Sequence, residues 1–109
     1  MQQVIAIDHA YEHGGAYRVL GRMFYKLPGF AGGGTDKSIT NLKKSLEYAP
    51  NVSTTHVFLA ESYIKKKDYP AARSELNFVL KAVVIPGLEP EFQQDKATAA
   101  KLLEEIKNK

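Results

Sequence analysis

The stretch Thr55 to Val84, THVFLAESYIKKKDYPAARSELNFVLKAVV, constrains this chain more than any other. Its apolar and small residues fall at fixed intervals: His56-x2-Leu59-Ala60-x2-Tyr63-x8-Ala72-x3-Leu76-x2-Val79. Local signals divide it in two. Lys65-Lys66-Lys67 stands where a first helix ends, and cations suit the negative end of a helix dipole. Asp68 follows as a side-chain cap for a second helix, with Pro70 tolerated in its first turn. Pro86-Gly87 is the expected end of that second helix.

These intervals resemble a tetratricopeptide (TPR) repeat, a pair of antiparallel helices of about 34 residues. The resemblance implies that Ala60 and Ala72 sit where the two axes approach, with Leu59, Tyr63, Leu76 and Val79 filling the space beside them. A second copy of the spacing lies upstream. Tyr17, Leu20, Gly21 and Phe24 repeat the first-helix positions, and Ser38, Leu42, Ser45 and Pro50 repeat those of the second. From Ser38 to Ala72 is 34 residues, the period of the repeat, and from Gly21 to Ala60 is 39. The five extra residues fall in a glycine-rich loop, where an insertion costs little.

The expected architecture is all-α, a TPR-like α-α superhelix of about two repeats with flanking helices, in one domain over residues 1–109. An N-terminal helix over 1–13 is stopped by His13-Gly14-Gly15, where glycine supplies a left-handed turn. Val4, Ile7 and Tyr11 give that helix an apolar side. Repeat 1 covers 15–50, with its loop insertion at 28–34 and Thr35 or Asp36 capping the second helix. Repeat 2 covers 53–86. A capping helix at 90–108 lines Phe92, Ala99, Leu102, Leu103 and Ile106 on one side, and would cover the exposed end of the core. No strand is required.

Composition narrows the function classes. With no cysteine, the chain has no disulfide, thiolate metal site or cysteine nucleophile. A net charge of +3, without a basic stripe interleaved with aromatics, argues against nucleic acid. No apolar run approaches the length of a membrane span, so no membrane insertion by this chain is expected. No basic region leading into an apolar stretch opens the sequence; an export signal is expected upstream if the chain is part of a longer protein.

In a TPR stack the first helices line a concave surface. Residues there that internal packing does not use are Arg18, Arg22, Tyr25 and Lys26, then Val57, Glu61, Ile64 and Lys65. They are the candidate partner-binding residues. Arg18, Arg22 and Lys26 form a basic row, and two arginines one turn apart can clamp a carboxylate. The bland alternative pairs them with Asp8, Glu12 or Glu61, or leaves them solvated. Chaperone-binding TPR domains hold a C-terminal carboxylate with asparagines, and Arg22 and Glu61 stand at those positions here. Val57 and Ile64 are apolar in the groove; the final helix covers them, or a partner or a second copy of the chain does.

Other motifs carry less. His9-Ala10-Tyr11-Glu12-His13 matches His-x-x-Glu-His, which puts two histidines one turn apart as a weak zinc or nickel site. A protease would need a third ligand, and surface histidines near a helix end are the plainer account. Gly29 to Ser38 looks like a phosphate loop, but Thr35-Asp36 follows Gly34 in place of Lys-Ser/Thr. No cofactor and no enzymatic activity are expected.

A narrower likeness begins at Gly14-Gly15-Ala16-Tyr17-Arg18-Val19-Leu20-Gly21-Arg22 and continues through Leu27-Pro28-Gly29, the glycine-rich loop and Asp36-Lys37-Ser38. This pattern resembles the TatT-like proteins, the T-component associated with TRAP transporters. The resemblance covers about Gly14 to Leu80. It implies an extracytoplasmic helical protein that assembles with solute-binding partners; without an export signal upstream the chain would be cytoplasmic. Two functions follow as expectations: a non-catalytic TPR scaffold for a protein or peptide, or an accessory protein of a TRAP-type solute transport system.

Overall fold

The computed structural model describes the backbone of residues 2–27, 34–84 and 86–109, and within these ranges the side chains from Gly14 onward. The described residues form helices only: α1 (Gln2–Lys26), α2 (Thr35–Tyr48), α3 (Ser53–Lys66), α4 (Tyr69–Lys81) and α5 (Glu89–Glu105). They group into two compact units, Met1–Val52 and Ser53–Lys109.

In the first unit α1 packs on α2. The expected break at His13-Gly14-Gly15 is absent, and α1 runs unbroken through both glycines. Gly14 serves a close approach instead. A Cβ there would lie 3.2 Å from the Ser45 carbonyl oxygen and 3.3 Å from Ala49 Cβ. The Ser45 hydroxyl donates to the Gly14 carbonyl across this contact. One heptad on, Gly21 meets Leu42 and Ser38 in the same way. The helices therefore approach through two small residues on each side, Gly14 and Gly21 against Ser45 and Ser38, with Leu42 buried between them. Tyr17 stacks on Tyr48 at 5.9 Å alongside.

The pairs Gly14–Ser45 and Gly21–Ser38 place the two helices antiparallel. Neither Thr35 nor Asp36 caps α2. Gly34 holds that position, and its amide donates to the Phe24 carbonyl at 3.1 Å, tying the start of α2 to the end of α1.

In the second unit α3 and α4 form the antiparallel pair expected from Thr55–Val84. Asp68 caps α4, accepting from the Ala71 amide at 3.3 Å. Lys67 turns the chain between them at a φ of 68°, and its amide donates to Ile64. α4 ends at Lys81, earlier than the expected Pro86-Gly87. The residues beyond it are the β-branched Val83 and Val84, which favour extended backbone, and Ala82 is already extended.

α5 begins at Glu89, whose carboxylate accepts from the Gly87 amide at 3.0 Å. Hydrogen bonds from its own amide and from that of Gly87 hold the Glu89 carboxyl below the ordinary carboxylate range. α5 lies against both α3 and α4. Ser53 and Thr54 at the start of α3 donate to Asp95 at 2.6 and 2.7 Å. Near its end, the Ile106 carbonyl accepts from Arg73 of α4 at 3.4 Å. α5 thus runs in the direction of α3.

The core of this unit joins Val57, Ala60, Ala72, Leu76, Val79, Ala99 and Ile106, with Tyr63, Ile64, Tyr69, Leu102 and Leu103 packed around it. Ala60 and Ala99 are 39 residues apart, as Gly21 and Ala60 are, and all three are buried small residues. α5 therefore occupies the place of a further repeat's first helix. The sequence suggested only a cover.

Candidate functional site

Of the eight candidate partner-binding residues, four belong to the first unit. Arg18, Arg22 and Lys26 follow one another at single-turn spacing on α1. Arg18 and Arg22 are half-buried and Lys26 is exposed. The Arg22 guanidinium lies 4.8 Å from the centroid of the Tyr25 ring, a cation–π contact that holds both side chains on the helix surface.

The other four belong to the second unit and do not form one exposed surface. Val57 is 3% exposed and sits in the core. Ile64 packs on that core at its edge. Ala99 and Ile106, flanked by Leu102 and Leu103, belong to the same cluster, so α5 packs over Val57. Val57 thus presents little of its side chain at the surface of this unit. Lys65 is exposed, and Glu61 is half-buried.

Glu61 lines an open pocket of about 360 Å³ with Gln94, Ala97, Thr98, Lys101, Leu102 and Glu105. Its lining mixes two carboxylates, one ammonium and two neutral polar side chains with the apolar Ala97 and Leu102.

His56, the aromatic position of the α3 pattern, is a core histidine. Its ring stacks on Phe78 at 4.0 Å, and its Nδ1 lies 3.2 Å from a Glu75 carboxylate oxygen. The side chains of His9, Glu12 and His13 lie outside the described residues. Among the described residues no group of three or more histidines, aspartates and glutamates could hold a metal.

One surface feature escaped the sequence. Leu20, expected to face inward with Gly21, is 38% exposed, because it is turned about 100° around α1 from the contact with α2. With Ala16, Val19 and Met23 it forms an exposed apolar stripe. The signal was present as spacings of three, four and seven residues from Ala16. The repeat spacing hides it, because that spacing puts Leu20 in the core with Gly21.

The family model for the TRAP transporter T-component matches residues 1–108. The chain belongs to the TRAP transporter T-component family. No curated protein and no solved structure matches it. Membership makes the chain an accessory component of a TRAP transport system. Among the described residues no helix is long and apolar enough to cross a membrane.

Proposed function

We propose that this T-component chain is a non-catalytic scaffold that docks a protein component of its transport system on the extracytoplasmic side. The observation that carries this reading is the family match along nearly the whole chain. Helix pairs of the TPR kind suit the task, because they present rigid helix faces to a partner. On the first unit the docking residues would be Arg18, Arg22, Tyr25 and Lys26; on the second, Glu61, Ile64 and Lys65. Val57 contributes only by supporting α3 from within the core.

Calorimetric titration with the solute-binding protein of the same transport system tests the reading. Saturable binding, weakened by Arg18→Ala together with Lys26→Ala, is expected. The absence of heat and of co-migration on gel filtration would overturn it.

A further inference from the structure

The exposed face of α1 carries a more specific message, which rests on the docking reading above. Ala16, Val19, Leu20 and Met23 are all exposed, Val19 at 64% and Met23 at 42%. They stand at i, i+3, i+4 and i+7, a single stripe about two turns or ~11 Å long. Both of its borders are cationic. On one side run Arg18, Arg22 and Lys26. On the other are the rings of Tyr17 and Phe24, each with a lysine of α2 over it: Lys44 Nζ is 5.3 Å from the Tyr17 centroid, and Lys37 Nζ is 5.7 Å from that of Phe24. From Gly14 to Leu27 the helix carries no acidic residue.

We infer that this stripe is a docking site for a helix of a protein partner that bears apolar anchors between two rows of acidic residues. The charge pattern selects this occupant. An apolar strip alone would accept any greasy surface, but cations on both borders favour a partner with carboxylates on both flanks of its anchors and repel a second copy of the same face. Two turns of anchors at these spacings match the way an amphipathic helix is read.

The test uses the full chain and a synthetic helical peptide with leucines at i, i+3, i+4 and i+7 and glutamates on both flanks. A peptide with lysines in place of the glutamates and phosphatidylglycerol-containing vesicles serve as competitors. The acidic peptide is expected to bind, more weakly as salt rises, and the lysine peptide not to bind. Val19→Asp with Met23→Asp should weaken binding by about tenfold or more, with an unchanged circular dichroism spectrum. Val83→Asp, at another exposed apolar residue, should leave it unchanged.

Equal binding of both peptides, or binding unaffected by the double substitution, would overturn the proposal. So would vesicle binding without peptide binding, or a dimer that the double substitution dissolves. The solute-binding protein separates the two readings. If it binds the Val19→Asp/Met23→Asp protein as tightly as wild type, the stripe is wrong and the docking role stands. If it does not bind wild type, the docking role fails, and the peptide result alone decides the stripe.

Discussion

Gly21 faces Leu42 so closely that a Cβ at position 21 would lie 2.6 Å from the leucine Cγ. The same atom would be 3.2 Å from the Ser38 carbonyl oxygen, and Leu42 is fully buried. The leucine has nowhere to retreat, so the α1–α2 contact depends on the missing methyl group. Gly21→Ala should therefore lower the melting temperature, the overpacking cost of about 1–3 kcal/mol exceeding a helix-propensity gain of about 0.5–1 kcal/mol. Gly15 is the control. Nothing lies within 4 Å of a Cβ there, so Gly15→Ala should stabilise the same helix by about 0.5–1 kcal/mol. Thermal unfolding of both variants checks the pair; equal effects would contradict this account of the contact.

Asp95 ties α5 to the first turn of α3. One of its carboxylate oxygens accepts from both the Ser53 and Thr54 hydroxyls, and the side chain is buried. Asp95→Ala should cost about 1–3 kcal/mol, because two hydroxyls lose a charged acceptor. Asp95→Asn keeps an oxygen in place and should cost less. Urea unfolding measures both; an alanine variant as stable as wild type would show that the tie contributes nothing.

Thr55 makes the opposite case. Its hydroxyl oxygen is buried and has no hydrogen-bond partner among the described residues. Replacing it by a methyl group of similar size in Thr55→Val removes an unpaired polar atom at little steric cost. Stability should hold or rise, by up to about 1–3 kcal/mol. A clear fall in melting temperature would mean that the hydroxyl is paired in solution.

Removing residues 90–109 should expose the apolar side of α3 and α4. Ala99 and Ile106 would be lost from the core, and Leu102 and Leu103 from its edge. The truncated protein should melt at a lower temperature or aggregate, as light scattering during a thermal ramp would show. An unchanged transition would mean that α5 is not part of the cooperative unit.

Much of the fold was legible because local and tertiary signals agree in places. The Asp68 cap, the small residues Ala60 and Ala72, and the fillers Leu76 and Val79 all stand where the spacing put them. The glycine pair at 14–15 was misread because local rules make glycine a stop, while here packing against Ser45 and Ala49 holds the helix through it. The spacing alone puts Val57 at the surface, because its burial depends on α5, an element distant in sequence. The stripe beside Leu20 was missed for a similar reason: whether an apolar position faces inward depends on which side of α1 meets α2. The family likeness was legible from Gly14 onward, since it rests on residue types and not on packing.

The central claim is that this T-component chain works by docking a protein of its transport system. The most direct measurement is the affinity of the chain for the solute-binding protein of that system, by calorimetry at low and moderate salt. The account predicts saturable binding that weakens with salt and with Arg18→Ala/Lys26→Ala. A wild-type chain that shows no binding at either salt concentration, while folded and monodisperse, would contradict it.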